Sequence, residues 1–305
     1  MDPLSDVLSL LKPRSYVSRG FSAGGDWAIQ FAPYEGIKFN AVVSGQCWLA
    51  MEGVPEPLLL EEGDCFLLPK GRSFRLASDL GVTPVDAVAL FKAAPRGGVA
   101  LCNGGGDFFL LGSRFTLAGP HAEILLGVLP PIVHLRKEQD RTALRWSLDK
   151  MREEQREAQP GSSLVTEHLA HLMLVQALRL YLAEGAKGGV GWLFALADKQ
   201  TGAAIDQMHA DPAQRWTVQD LAQRVGMSRT AFAVKFKETV GLSPMDYLTR
   251  WRMLLASDRL TNSRDSIGAI AVSLGYESES AFGAAFKRVM GCSPRQYGRS
   301  IAEAA

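Results

Sequence analysis

GMSRTAFAVKFKETVGLSPMDY (residues 226–247) and GYESESAFGAAFKRVMGCSPRQY (residues 275–297) spell nearly one phrase twice. Ala222 and Gly226 match Ala271 and Gly275 at a shift of 49. Phe232, Phe236, Pro244 and Tyr247 match Phe282, Phe286, Pro294 and Tyr297 at a shift of 50. Each copy opens on an amphipathic segment, VQDLAQRV (218–225) or IGAIAVSL (267–274), whose alanine lets a second helix cross closely. A glycine follows, suited to a turn that other residues resist. Ser228 or Ser278 is then placed to cap the next helix by accepting its free amides. Two phenylalanines four apart lie on one face of that helix, where they bury against the first. Helix, glycine turn, capped helix is a helix-turn-helix pattern.

Burial of the phenylalanine face leaves the opposite face free. In the first copy that face carries Arg229, Thr230, Ala233, Val234 and Lys237; in the second, Glu279, Ser280, Gly283, Ala284, Lys287 and Arg288. Modules of this kind insert the early part of the second helix into a DNA major groove, with basic groups on phosphates. Ser228 and Ser278, at the helix tips, join the candidate DNA-binding residues. Ala233, Val234, Gly283 and Ala284 cannot hydrogen-bond a base edge through a side chain, so Arg229, Thr230, Ser280 and DNA deformability are expected to supply more of the specificity. PMDYLTRWRMLLASDRL (244–260) begins with proline, favoured at the first helical position, and predicts a connecting helix of about 25 Å. A rigid spacer of that length suits two recognition helices about 34 Å apart, one turn of B-DNA.

The rest of the 305-residue chain reads differently. Residues 206–305 hold 13 basic against 10 acidic side chains, while residues 1–205 hold 20 against 22, which tilts the C-terminal third toward an anionic partner. MDPLSDVLSLLKPR places acids ahead of a short apolar run and does not read as a secretion signal, and no apolar run reaches membrane-span length. Cys47, Cys65, Cys102 and Cys292 lie far apart with no CxxC pair, against a disulfide scaffold or zinc finger. A cytoplasmic protein without membrane contact is expected. WAIQF (27–31), FNAVV (39–43), CWLAM (47–51), CFLLP (65–69) and FRLA (74–77), divided by Gly, Pro and Asp, predict a sandwich or barrel. QDRTALRWSLDKMREEQRE (139–157) and SLVTEHLAHLMLVQALRLYL (163–182) predict two helices, the second with Leu164, Leu169, Leu172, Val175, Leu178 and Leu182 at helical spacing. GAKGGVG (185–191) reads as a flexible linker. The expected fold is α+β and multidomain, with a β-barrel at 1–138, a helical dimerisation segment at 139–184, a linker at 185–191 and an all-α double helix-turn-helix domain at 192–305.

Residues 192–300 resemble the DNA-binding domain of the AraC/XylS regulators, which carries two helix-turn-helix units on one connecting helix. The stretch 271–297 is close to that family's signature, and TRWRM (249–253) fits its connector. The resemblance implies sequence-specific control of transcription at a double-stranded promoter or operator, with RNA polymerase as a further candidate partner. KFNAVVSGQCWLAMEG (38–53), EEGDCFLLPKGRSFRLAS (61–78) and GVLPPIVHL (127–135) resemble the cupin domain attached to some of these regulators. Metal-binding cupins converge histidines on a metal. Here Lys38, Asn40 and Phe74 stand at those positions, so no metal, cofactor or catalytic residue is expected, and the chain is not read as an enzyme. His168 and His171, one turn apart beside Glu167 on the helix after the barrel, could share a metal but are expected in a surface or interface role, and the isolated His121, His134 and His209 read as structural.

A small-molecule effector pocket remains, with Asn40, Trp48, Phe66, Phe74 and Arg75 as candidates from strand position. Thiol sensing by Cys47 or Cys65 would want an exposed thiol beside a cation, whereas Asp64 precedes Cys65. The helices of 139–184 are expected to cover the barrel and still offer an edge for a homodimer, as the resemblance implies. Two rivals stand beside the effector-controlled regulator: a constitutive dimeric DNA-binding regulator without effector, and a cupin enzyme with a helical appendage.

Overall fold

A computed structural model describes residues 2–11, 14–94, 98–116, 129–136, 142–157, 159–185 and 190–302. His121, most of the 185–191 linker, and the starts of 127–135 and of 139–157 lie outside these residues. The chain forms two compact units: one runs from Pro13 to Tyr181, and the other joins residues 1–12 to residues 182–305.

The first unit is built on strands. β1 (Arg14–Ala23), β3 (Ile37–Ser44), β6 (Cys65–Leu68), β9 (Val99–Cys102), β10 (Phe108–Thr116) and β11 (Val133–Leu135) form one sheet in the order β11-β6-β3-β10-β1-β9. β2 (Ala28–Phe31), β4 (Gln46–Met51), β5 (Leu58–Glu61), β7 (Phe74–Ala77) and β8 (Val85–Asp86) form a second in the order β5-β4-β7-β2-β8. Alternate residues of both sheets close on one core, including Phe21, Ile29, Val42, Leu49, Phe66, Phe74, Leu76 and Leu110. The short apolar runs separated by turn residues thus make the expected cupin-like barrel. Because side chains alternate, Lys38 and Asn40 share a face of β3 with Val42 and point the same way, while Ile37, Phe39 and Ala41 are buried on the other face.

Two helices of this unit follow the strands. α3 (Thr142–Glu157) buries Leu144, Leu148 and Met151, and α4 (Ser162–Gly185) buries Leu169, Ala170, Met173, Leu174, Ala177 and Leu178. His171 lays its ring edge-on to Phe115 of β10, with centroids 5.6 Å apart. Of the apolar positions at helical spacing on α4, Leu169 and Leu178 are buried, while Leu164 and Leu172 are 59% and 37% exposed. Leucine fits either side of a helix, and here Ala170, Met173 and Ala177 set the close contact instead. A shorter helix, α2 (Ala87–Ala93), is capped by the Asp86 carboxylate, which accepts the Ala89 amide.

The second unit is helical. It holds α1 (Pro3–Leu11), α5 (Trp192–Ala195), α6 (Lys199–Ala210), α7 (Val218–Arg224), α8 (Arg229–Val240), α9 (Pro244–Asn262), α10 (Ile267–Ser273), α11 (Glu279–Met290) and α12 (Pro294–Ala302). α1 packs against α6 and α9. It is fastened through a chain of polar groups that sequence spacing could not suggest. Tyr247 Oη donates to His209 Nε2 (2.8 Å), and His209 Nδ1 donates to the Asp6 carboxylate (3.3 Å), across 203 residues. Burial holds His209 neutral, with its pKa near 3, and pushes Asp6 up, so the contact is a hydrogen bond of a neutral imidazole rather than an ion pair. The ring also stacks on Trp251 at 3.8 Å.

Candidate DNA-binding interface and effector pocket

The two copies of the sequence phrase fold alike. Thr217 caps α7 in a capping box with Asp220, and Ser266 caps α10 by accepting the Ala269 amide. Gly226 and Gly275 take φ of +69° and +79° in the two turns. Ser228 then accepts the Ala231 amide and Ser278 the Ala281 amide, starting α8 and α11. Phe232, Phe236, Phe282 and Phe286 are all at most 1% exposed. Even the rings repeat: Phe232–Phe236 and Phe282–Phe286 centroids lie 5.6 and 5.7 Å apart, and Phe236–Tyr247 and Phe286–Tyr297 meet edge-on at 5.9 and 5.5 Å. α9, capped by Ser243 with Pro244 in its first turn, has 19 residues and is about 28 Å long.

The face opposite these phenylalanines is open in both copies. Ser228, Arg229, Thr230, Val234 and Lys237 are exposed on the first, with Ala233 half-buried. Ser278, Glu279, Ser280, Ala284, Lys287 and Arg288 are exposed on the second, with Gly283 half-buried. Val234 is 51% exposed, a large apolar side chain facing water. Lys235 does not share this face; it pairs with Asp198 (2.8 Å) and Gln200 (2.9 Å). Arg229, Lys237 and Lys287 have no ion pair among the described residues.

Arg252 on α9 ties the two copies together. Its Nε donates to Pro212 O (2.6 Å) and its Nη2 to Gln214 O (2.8 Å), just ahead of the first module, and its guanidinium lies over Tyr276 in the turn of the second. Arg215 adds an exposed pair with Glu277 at 2.5 Å. The segment that follows the linker is anchored as well: Gly191 N donates to Thr239 O of α8 (2.8 Å), and Trp192, Leu193 and Phe194 are buried.

Within the barrel unit a cavity of about 560 Å³ opens beside β3 and β10. Of the side chains expected there, Asn40 lines it, and Phe74 stands behind it, stacked on Phe31 at 4.3 Å. Trp48, Phe66 and Arg75 do not line it. Trp48 sits on the face of β4 opposite the buried Cys47, Leu49 and Met51, Phe66 is fully buried in the core, and Arg75 donates to Val82 O. The central group is one named for what it is not: Lys38, standing where a metal-binding cupin has histidine. Its ammonium lies 4.2 Å from the Phe31 ring, 4.4 Å from Tyr34 and 4.7 Å from Phe74. Desolvation, reinforced by Arg114, lowers its pKa to about 8.

That burial has a measurable consequence. Lys38 carries a folded pKa below its ordinary 10.5, so between about pH 8 and 10.5 the unfolded chain binds the extra proton and stability rises with pH. A Lys38→Met variant lacks this dependence. Its stability relative to the parent should be highest below pH 8 and fall by up to about 3 kcal/mol as pH approaches 10.5. Thermal melts of both proteins from pH 7 to 10 check the sign.

The described histidines all hydrogen-bond within the fold. His168 and His171 donate Nδ1–H to Leu164 O and Glu167 O, both at 2.8 Å, and His134 Nε2 meets the Asp64 carboxylate at 2.9 Å. No cluster of three His, Cys, Asp or Glu suited to a metal occurs among the described residues. Cys47 and Cys65 are at most 1% exposed, and burial pushes the Cys47 thiol far up. Neither fits a sensing thiol, which needs exposure and a lowered pKa. No described helix is long and apolar enough to cross a membrane.

Known proteins carry both halves of this arrangement. A family model described as Cupin matches residues 2–183, and one described as a helix-turn-helix domain matches residues 221–300. The chain is 45% identical over 298 residues to an AraC-like transcription regulator of Streptomyces lividans, covering 97% of this chain and 98% of that one. It is 28% identical to the HTH-type transcriptional regulator AlkR of Acinetobacter baylyi, covering 97% and 99%. It is also 28% identical to the RCS-specific HTH-type transcriptional activator RclR of Escherichia coli, over the full length of both chains. These relatives are regulators, not enzymes. With its duplicated helix-turn-helix module and its cupin barrel, the chain belongs to the AraC family of DNA-binding transcription regulators.

Proposed function

We infer that α8 and α11 enter successive major grooves of a promoter, and that a small molecule in the barrel cavity controls this binding. The observation that supports it best is the pairing of faces: the same two helices bury Phe232, Phe236, Phe282 and Phe286 and leave Arg229, Thr230, Lys237, Ser280 and Lys287 free. Arg229, Thr230, Ala233, Val234 and Lys237 serve the first groove, and Glu279, Ser280, Gly283, Ala284, Lys287 and Arg288 the second. Ser228 and Ser278 present the helix tips to phosphates. Val234 and Ala284 suit thymine methyls. A helix of about 28 Å between the copies fits one turn of duplex.

Leu164, Val165 and Leu172 on α4 and Trp146 on α3 are exposed apolar groups beside a packed face, and they suit a homodimer. Acting on DNA places the protein in the cytoplasm, with RNA polymerase as the partner through which transcription responds. The anchorage of Gly191 to Thr239 offers a route from the linker to α8.

Each phosphate contact adds about 0.9 to the slope of log affinity against log salt. The double variant Lys237→Ala, Lys287→Ala should therefore flatten that slope by about 2 on any duplex, as read by fluorescence anisotropy. An unchanged slope would remove both lysines from the interface.

A further inference from the structure

We propose that the barrel cavity recognises an organic acid, with its carboxylate on Lys38 and Asn40 and its apolar or aromatic body along Phe31, Phe91 and Leu110. This rests on the effector reading above and narrows it to a ligand class.

Asn40 supplies the first observation. It is 6% exposed, it lines the cavity, and its Nδ2 is buried without a hydrogen-bond partner among the described residues. A buried amide donor left open destabilises a fold, so such a group points to an acceptor that arrives from outside. Lys38 is its neighbour two residues away on the same face of β3, and it has no carboxylate partner among the described residues. The two groups together form a donor pair at the wall of a cavity.

The rings around Lys38 decide the sign of the ligand. Three aromatic faces within 5 Å would make a cage for an alkylammonium ligand, but the protein's own ammonium already fills it. What remains open to a ligand is the positive side, and Arg114 and Lys92 add to it. Arg114 is itself held, donating Nε–H to Glu35 O at 2.9 Å. A cation is ruled out by like charge, and a neutral molecule would leave Lys38 desolvated and unpaired. An anion satisfies both. A carboxylate, with two acceptor oxygens, matches the one deep ammonium and the one open amide. The remaining wall of Phe31, Phe91, Val88 and Leu110 takes an apolar body. The pKa of about 8 leaves Lys38 mostly charged at neutral pH, and acid binding should raise it.

The test uses the full chain with sodium decanoate and sodium 2-naphthoate, each beside its neutral counterpart, decan-1-ol or 2-naphthylmethanol. Titration calorimetry and the melting temperature give the readouts. At least one acid should bind ten times more tightly than its alcohol. Lys38→Met should remove that preference. Asn40→Asp, which places a carboxylate beside Lys38 inside the cavity, should also weaken the acid at least tenfold, and it serves if Lys38→Met does not fold. Equal affinity for acid and alcohol, or acid affinity unchanged in both variants, overturns the proposal. Alcohols that bind while acids do not would sink the acid and leave effector control standing. No binding by any of the four probes would sink both.

Discussion

Gly275→Ala should destabilise the helical unit by more than about 3 kcal/mol, while Gly226→Ala, the same change at the matching position, should cost about 1 kcal/mol. Both glycines have left-handed φ, so both substitutions meet the 1–2 kcal/mol penalty of that conformation for an L-residue. Their surroundings differ. A Cβ on Gly226 would meet nothing within 4 Å. A Cβ on Gly275 would stand 2.2 Å from Ala213 O and 3.1 Å from Arg252 Nη2. That carbonyl belongs to the loop Arg252 holds through Pro212 O and Gln214 O, so it cannot retreat without breaking the tie between the modules. Calorimetry should show the helical unit melting well below the parent in Gly275→Ala, and DNA affinity should fall at least tenfold. Asparagine tolerates left-handed φ, so Gly226→Asn should be close to neutral, whereas Gly275→Asn keeps the overlap and should not rescue. Equal losses at the two sites would mean that the loop 211–216 yields freely.

The C-terminal module was legible because its information is local and doubled. Phe-x-x-x-Phe, one glycine, one capping serine and Ser-Pro each dictate conformation within a few residues, and repetition made chance an unattractive explanation. The barrel was legible as a class, since short apolar runs between turn residues have few other solutions. Its pocket was not. Period-two alternation says that Cys47 and Trp48 face opposite ways, but not which of them faces in, and Trp48 faces out. In β6 all four residues are buried, so alternation carries no information on Phe66. Lys38 read as a missing ligand because the rings that hold it come from Phe31, Tyr34 and Phe74, spread over separate elements. α1 is hard to read from the sequence for a similar reason. Its partners His209 and Tyr247 lie some two hundred residues away, and nothing in PLSDVLSLL names them. Arg252 shows the intermediate case: TRWRM marked the connector, but only the contacts reveal that one guanidinium reaches both modules.

α11 lets stability and recognition be separated on a single helix. Phe286→Ala should remove about 3–5 kcal/mol, because the ring is fully buried against Phe282 and Tyr297, where the surrounding helices α9, α10 and α12 cannot collapse onto the gap. Set against a typical domain stability of about 5–15 kcal/mol, that is enough to leave the helical unit partly unfolded at 37 °C. Phe286→Leu keeps an apolar side chain in the site and should cost markedly less. One residue further along, Lys287→Ala and Arg288→Ala alter exposed side chains and should change stability by less than about 0.5 kcal/mol, yet both should weaken DNA binding. The barrel forms its own compact unit, so its melting transition and its binding of acids should be unchanged in all four variants. If Phe286→Ala left the helical transition in place, the phenylalanine face would not be what holds the recognition helix. If Lys287→Ala and Arg288→Ala left DNA affinity intact, the open face of α11 would not be what reads the groove.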